Sequence, residues 1–194
     1  MTVSTSQVDT VKLQENTEPE VVDLRTKILE ATAALIAERG IRGVSIREVA
    51  RRAGVSHQAP YHHFGDQTGL MREVARQGFL GLTEAMRSAA QSKLEAGGTA
   101  LDALVATGVA YVSFARTHEG HLRVMFQNSV VDLHCDDTPM HEGDETCDVL
   151  MQCAVEAQQA GFGRGLDAER IAALCWSTVH GLSLLLIEGA MMQK

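Results

Sequence analysis

A short stretch of the chain concentrates side chains that can bind a polyanion. Four arginines follow one another closely: Arg42, Arg47, Arg51 and Arg52. Five donors, acceptors or aromatic rings come directly after them: His57, Gln58, Tyr61, His62 and His63. Guanidinium groups pair with phosphates, and imidazole, amide and phenol groups reach base edges or the sugar–phosphate backbone. The stretch indicates a DNA-binding surface, and a three-helix bundle with solvated arginines is the structural alternative.

Helix start and stop signals around these residues predict three short helices. Apolar residues recur at helical spacing over residues 24–39, and Gly40 follows as a typical end signal. Ser45 and Glu48 have the spacing of a capping box, which opens a second helix. Ser56 is expected to cap a third helix that carries the five polar residues. Two helices joined by such a turn form a helix-turn-helix motif, whose second helix fits the DNA major groove.

Two runs of residues, Ala53-Gly54-Val55-Ser56 and Ala59-Pro60-Tyr61-His62-His63-Phe64, resemble the DNA-binding domain of the TetR family of transcriptional regulators. The resemblance covers residues 24–72. It implies that Ser45 and Arg47 contact phosphates and that Tyr61 and His63 anchor the DNA backbone. It also implies that His57, Gln58 and Ala59 face the bases. With the remaining polar residues of the motif, the expected DNA contacts are Ser45, Arg47, Ser56, His57, Gln58, Ala59, Tyr61, His62 and His63.

The motif departs from the family pattern at two positions. Pro60 stands where a leucine is commoner, and it should cost the third helix a backbone donor. Gln67 replaces a lysine that grips a phosphate in the family pattern. Each lost phosphate contact should make the salt dependence of DNA binding shallower by about 0.9 in the log–log slope.

The remainder of the chain is also predicted to be helical. The predicted helices lie near residues 67–95, 100–117, 120–128, 145–160 and 168–190. In the last segment, Trp176, His180 and Gly181 resemble the C-terminal domain of a TetR subgroup named after those three residues. The predicted fold is therefore all-α. A tail over residues 1–22 precedes a helix-turn-helix DNA-binding domain over 23–66 and a helical ligand-binding and dimerisation domain over 67–194.

The segment from Ile171 to Met192 is apolar nearly all round, which predicts a helix buried on all its faces. About 20 apolar residues suffice to cross a bilayer, but His180 and Glu188 inside the segment disfavour a membrane span. Burial against a second copy of the chain is the other solution. We therefore expect a homodimer formed through the last two helices. Its two DNA-reading units would lie about one DNA turn apart, roughly 34–36 Å, on a palindromic operator.

The middle helices are expected to enclose a pocket for a small, largely apolar inducer. The candidate wall residues are Phe79, Phe114, Met125, Phe126, Met151 and Trp176, and His180 is either a polar residue that orients the ligand in the pocket or a satisfied core histidine. Ordinary core packing is the alternative for each of them, and no cofactor is expected. The resemblance implies a ligand-responsive transcriptional repressor that the inducer releases from double-stranded DNA.

Two other chemistries compete with this interpretation. A metal- or thiol-responsive regulator is suggested by the residues His134, Cys135, His141, Cys147 and Cys153, because imidazole and thiolate bind zinc or copper. Their spacing matches no fixed ligand pattern, so no metal site is assigned. A helical enzyme is the remoter alternative, because no Ser/His/Asp or Cys/His constellation stands out. The glycine-rich run at 161–165 follows a helix, whereas a dinucleotide-binding loop follows a strand.

The charge distribution agrees with a DNA-binding unit on an acidic protein. The 194 residues carry a formal net charge of −8. Residues 24–80 carry nine Lys and Arg against five Asp and Glu, whereas residues 81–194 carry seven against fifteen. Residues 1–23 lack the apolar core of a signal peptide, so a cytoplasmic protein is expected.

Overall fold

The computed structural model describes residues 23–126 and 141–190, and every regular element within them is a helix. These ranges contain eight α-helices and one 3₁₀ turn, Ile41–Gly43. The helices are α1 (Leu24–Arg39), α2 (Ile46–Ala53), α3 (Ala59–Phe64), α4 (Gln67–Glu95), α5 (Ala100–Thr117), α6 (Glu119–Met125), α7 (His141–Gln159) and α8 (Ala168–Ile187). The all-α prediction is confirmed. Helices α1–α3 form the helix-turn-helix head, and α4–α8 form the helical body.

A side-chain cap and a glycine fix the bounds of α2. At its start, Oγ of Ser45 accepts a hydrogen bond from the amide of Glu48 at 3.3 Å. The Glu48 carboxylate, which a capping box would place on the Ser45 amide, is held instead by Arg51 and Arg39. At its end, Gly54 adopts the left-handed conformation (φ 68°) that side chains with a Cβ rarely tolerate. Cap and glycine together set the tight turn that precedes α3.

The third helix begins later than the sequence predicts. α3 starts at Ala59, because Pro60 has no N–H to donate to the Ser56 carbonyl and cannot continue a helix that is capped there. The Ser56 carbonyl accepts the Ala59 amide instead, at 3.1 Å. The predicted cap at Ser56 is therefore wrong, and His57 and Gln58 lie in the turn before α3 rather than on it. Pro60 lies in the first helical turn, where its missing donor costs no intrahelical hydrogen bond.

In the body, the segments predicted at residues 67–95 and 100–117 coincide with α4 and α5. The sequence predicts a polar connection over residues 129–143. α7 begins at residue 141, so residues 141–143 of this connection are helical. Glu142 and Asp144 lie in the first turn of α7, where negative charges stabilise a helix. Residues 127 and 128, which the prediction adds to α6, lie outside the described residues.

One hydrophobic core joins the head to the body. Ile28, Leu35 and Ile36 of α1 are completely buried, in the same cluster as buried residues of α4 and α6. α4 packs along α5, α6 and α7, and a smaller cluster joins α4, α5, α7 and α8. The core therefore continues across the expected domain boundary at residues 66 and 67.

Two glycines let α6 approach its neighbours closely. Gly120 of α6 is buried, and a Cβ there would overlap the carbonyl oxygen of Ala33 on α1. On α4, a Cβ at Gly78 would meet the sulfur of Met125 at 2.5 Å. Because α6 lies directly on both α1 and α4, it fastens the head to the body.

The substitution Gly120→Ala should push α6 away from α1. We expect the free energy of unfolding to fall by roughly 1–3 kcal/mol, the usual cost of overpacking a core, as measured by chemical denaturation. Gly143→Ala is the matched control, since a Cβ at Gly143 makes ordinary contact with the Phe79 ring at 3.7 Å. Equal stability of the two variants would contradict the close approach of α6 and α1.

Candidate nucleic-acid interface and ligand cavity

The surface formed by α2, α3 and the turn between them carries most of the residues expected to bind DNA. The exposed side chains of this set are Ser45, Arg47, Ser56, His57, Gln58, Tyr61, His62 and His63. Tyr61 is 49% exposed, and a large uncovered ring with a polar tip is typical of a binding surface. These eight side chains are accessible to a partner.

Ala59 is the exception within the expected DNA contacts. The resemblance places it against the bases, but its side chain is 8% exposed and packs in the core that joins head and body. The first two residues of α3, Ala59 and Pro60, are both buried, so the preceding turn forms the outer surface at this end of the helix. The base-facing role predicted for Ala59 is therefore wrong, and His57 and Gln58 remain as the expected base contacts.

Of the four arginines of the head that could bind phosphates, two are held in ion pairs within the head and two are not. Arg51 and Arg52 are each held by a glutamate of the head, at 2.7 and 2.6 Å. Hydrogen bonds from these arginines lower the pKa of both glutamates, so the pairs stay charged at neutral pH. Arg42 and Arg47 are exposed and form no ion pair with any residue that the structure describes. The positive charge available to phosphates is therefore centred on Arg42 and Arg47.

Two contacts that no sequence pattern indicates stabilise the head. Nε2 of Gln67 donates to the carbonyl of Val44 at 2.9 Å, which ties the start of α4 to the loop before α2. Arg25 lies over the Phe64 ring, 5.3 Å from its centroid, and pairs with Glu73 of α4 at 2.9 Å. Gln67 thus has a structural role at the position where the family pattern has a phosphate-binding lysine.

A cavity of about 280 Å³ lies between α4, α5, α7 and α8 in the body. Four of the six predicted wall residues line it: Phe79, Phe126, Met151 and Trp176. Wall residues that the sequence did not indicate include Met86, Leu104, Tyr111, Leu150 and Val179. Helical periodicity places them on apolar faces, but only the packing of four helices decides which faces converge on one space.

The other two predicted wall residues, Phe114 and Met125, do not line the cavity. Met125 is 1% exposed and packs in the core beneath α4. Phe114 stacks on His118, with ring centroids 4.3 Å apart. His180 supports the wall residues from behind. The wall positions predicted for Met125 and Phe114 are therefore wrong, because each side chain already has partners in the core. His180 does not line the cavity itself, and its role as a polar orienter stays a prediction.

His180 forms a hydrogen bond with Tyr111, whose ring lines the cavity. The Tyr111 hydroxyl and Nδ1 of His180 lie 2.7 Å apart. The His180 ring also packs against Phe126 and Trp176, at centroid distances of 4.6 and 5.4 Å. Burial raises the pKa of Tyr111 and lowers the pKa of His180, which favours the neutral form of both near pH 7. His180 therefore orients three aromatic wall residues without adding charge.

In the single chain, the cavity opens to solvent between α7 and α8. Four of its lining residues are exposed, and all four belong to these two helices: Cys147, Glu169, Ala173 and Trp176. Trp176 is 43% exposed and is the single tryptophan of the sequence. Its fluorescence is therefore a direct probe of the cavity mouth.

The described cysteines occupy three different environments. Cys147 lies at the cavity mouth, Cys153 is 6% exposed in the core, and Cys175 is partly buried in the cavity wall. Burial raises the pKa of all three thiols, and Asp144 and Asp148 raise that of Cys147 further. All three are therefore protonated, weakly nucleophilic thiols near pH 7.

The metal hypothesis rests partly on residues whose side chains are not described. Within residues 23–126 and 141–190, no group of three or more His, Cys, Asp or Glu side chains could hold a metal ion. His134 and Cys135 lie outside the described residues, as does the side chain of His141. Cys147 and Cys153, which the hypothesis groups together, are separated between mouth and core.

α8 leaves an apolar face exposed. By length and composition it is the one helix among the described residues that could cross a membrane, with a mean hydropathy of 1.5 over its most apolar stretch. Only 17% of that stretch is buried within the single chain. Its exposed large side chains include Leu174, Leu184 and Leu185. On α5, Val105 and Val109 are 58% and 62% exposed. α5 and α8 flank an open apolar groove of about 540 Å³.

A thin wall separates this groove from the cavity. The residues Leu104, Gly108, Cys175 and Val179 line both spaces. A Cβ at Gly108 would lie 3.2 Å from Cγ1 of Val179, so α5 and α8 are in close contact here. Groove and cavity are one layer of side chains apart.

Known protein families match both the head and most of the body of the chain. Residues 28–74, which contain the helix-turn-helix, match the bacterial regulatory proteins of the tetR family. Residues 104–194 match the tetracyclin repressor-like C-terminal domain. The chain belongs to the TetR family. It is accordingly a DNA-binding transcriptional regulator and not an enzyme.

Two relatives of this TetR-family regulator align over part of their length. The HTH-type transcriptional repressor KstR2 of Rhodococcus jostii is 39% identical over 84 residues, 43% of this chain and 40% of KstR2. The HTH-type transcriptional regulator BetI of Cronobacter sakazakii is 37% identical over 76 residues, 37% of this chain and 38% of BetI. The chain thus spans about two fifths of the length of these curated relatives.

Two solved structures share the fold over most of the chain. A Rhodococcus sp. RHA1 protein of unknown function is 34% identical, with a TM-score of 0.71 over 90% of this chain and 89% of its own. The TetR family transcriptional regulator PfmR of Thermus thermophilus has a TM-score of 0.68 at 21% identity, over 80% of this chain and 84% of PfmR. The second likeness shows the fold alone.

TetR regulators bind DNA operators and small-molecule ligands and form dimers. They are soluble DNA-binding proteins, and one apolar helix is weak support for a membrane protein. The resemblance of Trp176, His180 and Gly181 to one TetR subgroup stays a prediction.

Two head variants test the assigned DNA surface. Arg47→Ala should weaken operator binding and reduce the slope of log affinity against log salt by about 0.9, because one phosphate contact is lost. Tyr61→Ala should also weaken binding. Arg116→Ala, at an exposed position of α5, is the control and should change neither quantity. Operator affinity is measured by gel mobility shift at several salt concentrations, and circular dichroism verifies that each variant is folded. If both head variants bound the operator like the parent protein, the assigned DNA surface would be refuted.

Proposed function

We propose that this TetR-family protein is a ligand-responsive transcriptional repressor that binds a palindromic operator as a homodimer. A small, largely apolar inducer occupies the cavity and releases the protein from DNA in the cytoplasm. One observation carries the proposal: the DNA-binding head and the helices around an apolar cavity share a continuous core. A ligand in the cavity therefore presses on the structure that positions the head.

In the proposed complex, α3 and the turn before it enter the major groove. The groove is about 12 Å wide and accepts one helix. His57 and Gln58 are placed to reach base edges, whereas Arg47 and Ser45 are placed at the phosphates. Tyr61 anchors the backbone. Few uncommitted arginines predict modest non-specific affinity, so stable binding requires two heads.

We propose that α7 and α8 pair with the same helices of a second copy. The exposed Leu174, Leu184 and Leu185 support burial of α8, because apolar area removed from water drives association. The exposed Val105 and Val109 of α5 continue the same apolar surface. A two-fold axis through this surface gives the two heads matching orientations for a palindrome.

The first proposed route from cavity to head runs along α6. Phe126 follows the last residue of α6 and lines the cavity, whereas Gly120 of the same helix lies against Ala33 of α1. A ligand that displaces Phe126 moves a helix in direct backbone contact with the head. Because that contact has no compressible side chain, the movement passes to α1.

The second proposed route is a series of ion pairs. Glu142 of α7, next to the cavity-lining Gly143, pairs with Arg76 at 3.6 Å. Arg76 pairs with Glu73 at 2.6 Å, and Glu73 pairs with Arg25 of α1 at 2.9 Å. Burial alone would raise the pKa of Glu73, but the two arginines outweigh it and the pKa is lowered. Glu73 is therefore ionised at neutral pH, and the series of ion pairs links a cavity helix to α1.

Induction then requires two states of the dimer that differ in the spacing between the two heads. Only one spacing fits the operator, and the inducer must bind the other spacing more tightly. By linkage, the operator must weaken inducer binding by the same factor.

Selection of bound DNA from a random pool tests the proposed function. We expect a palindrome whose half-sites are centred about one helical turn apart, roughly 34–36 Å, and which also occurs beside the protein's own gene. Selection with the Arg47→Ala protein is the control and should enrich the same sequence poorly. A winning sequence without two-fold symmetry would contradict the dimeric readout.

The dimer surface is tested by Leu185→Arg. Leu185 is 47% exposed in the single chain, so arginine should leave the fold intact but place a charge in the proposed interface. We expect a folded monomer by light scattering and a large loss of operator affinity. Leu80→Arg, at a leucine of α4 that is 41% exposed, is the matched control and should remain dimeric. A Leu185→Arg protein that remains dimeric would refute this interface.

A further inference from the structure

The carboxylate of Glu48 holds two arginines of the head at once. Its two oxygens accept hydrogen bonds from Nε and Nη2 of Arg51, at 3.2 and 2.7 Å. Arg39, the last residue of α1, donates to the same carboxylate at 3.3 Å. One acidic side chain therefore restrains guanidinium groups from two different helices.

The position of Arg51 on α2 places it beside an expected phosphate contact. Arg51 follows Arg47 by four residues, so the two side chains are neighbours on one face of the helix. Arg47 forms no ion pair within the described part of the chain, whereas the guanidinium of Arg51 is turned to Glu48. The Arg51 side chain is nevertheless 71% exposed. If it were released from Glu48, it could pair with the same stretch of DNA backbone as Arg47.

Arg52 offers an internal comparison on the same helix. It is also held by both oxygens of one carboxylate, that of Glu38 on α1, at 2.6 and 2.7 Å. Because Arg52 follows Arg47 by five residues, it lies on a different face of α2 and reaches towards α1. The two ion pairs have the same chemistry but differ in their position relative to Arg47.

The ion pair between Glu48 and Arg51 is preserved at the pH of DNA binding. Hydrogen bonds from Arg51 outweigh the partial burial of the Glu48 carboxylate and hold its pKa below the usual range, and Arg39 lowers the pKa further. The backbone of Glu48 is fixed as well, because its amide donates to the Ser45 hydroxyl that caps α2. A phosphate must therefore displace a charged, anchored carboxylate before it can pair with Arg51.

We propose that Glu48 withholds Arg51 from DNA phosphates and thereby limits the part of the DNA affinity that does not depend on sequence. Glu48 is a positioning residue, since it acts through Arg51. The head then relies on Arg42 and Arg47 for phosphate contacts and on the turn before α3 for base contacts. Weak sequence-independent binding matters because non-operator sites vastly outnumber operators in a genome. The inference rests on the proposed function, in which α2 lies at the DNA backbone.

Binding of the full chain to a mixed-sequence DNA duplex tests the inference, with fluorescence anisotropy measured at several salt concentrations. Glu48→Gln should raise the affinity roughly fivefold at about 0.1 M salt, because Arg51 gains a phosphate contact. The slope of log affinity against log salt should steepen by about 0.9 for the same reason. Glutamine suits this position of a capped helix, and circular dichroism verifies the fold. Glu48→Ala should act in the same direction and serves if glutamine keeps its hydrogen bond to Arg51.

Glu38→Gln is the matched control. It removes the same charge and releases Arg52 on another face of α2, so the salt slope should stay unchanged. A rise in affinity that came only from the loss of a negative charge would be equal in the two variants.

Two arginine variants identify Arg51 as the group that Glu48 controls. The double variant Glu48→Gln/Arg51→Ala should return the salt slope to that of the parent. Arg51→Ala alone should leave the slope unchanged, whereas Arg47→Ala should reduce it by about 0.9.

The outcomes separate the role of Glu48 from the DNA surface itself. If Arg51→Ala reduced the slope as much as Arg47→Ala, Arg51 would already contact a phosphate and the inference would be overturned. Equal slopes for Glu48→Gln and Glu38→Gln would also overturn it, and the DNA surface would stand as long as Arg47→Ala kept its effect. An unchanged slope for Arg47→Ala would contradict the placement of α2 at the DNA backbone, and the inference would fail with it.

Discussion

The backbone contact between Gly120 of α6 and Ala33 of α1 is the constraint on which the rest of the molecule depends. It holds the head against the body with no flexible linker between them, and the hydrophobic core continues across the junction. α4 reinforces the contact by running from the end of the head through the whole body. A head fixed in this way keeps one orientation until a helix of the body moves. A signal from the body can therefore reach the head by displacing a helix that packs on it.

Local signals in the sequence predict this fold well, and the failures have identifiable causes. Apolar periodicity locates α4 and α5 because both helices are long and carry a continuous buried face. The cap predicted at Ser56 fails because a proline four residues later removes the N–H that such a helix needs. Ala59 illustrates a different limit, since its role depends on which way a six-residue helix faces.

The cavity shows what sequence periodicity alone cannot supply. Phe79, Phe126, Met151 and Trp176 belong to separate segments, and each lies on an apolar face that could equally belong to a core. Phe114 and Met125 have the same character, but Phe114 packs against Gly81 of α4 and His118, and Met125 packs α6 against Gly78 of α4. Only the tertiary arrangement distinguishes the two groups. The same limit applies to the arginines of the head. Their number can be read from the sequence, but only the structure shows which of them are held in ion pairs and which remain available to DNA.

The shared layer of Leu104, Gly108, Cys175 and Val179 has a consequence for how this protein selects ligands. A partition one side chain thick is packed on its outer side only by what covers the groove between α5 and α8. In the single chain that outer side faces solvent, whereas a neighbouring subunit resting on α5 and α8 would brace it. If the proposed dimer and ligand site hold, ligand size preference would be a property of the assembly, and a monomeric variant would accept a broader range of molecules than the dimer.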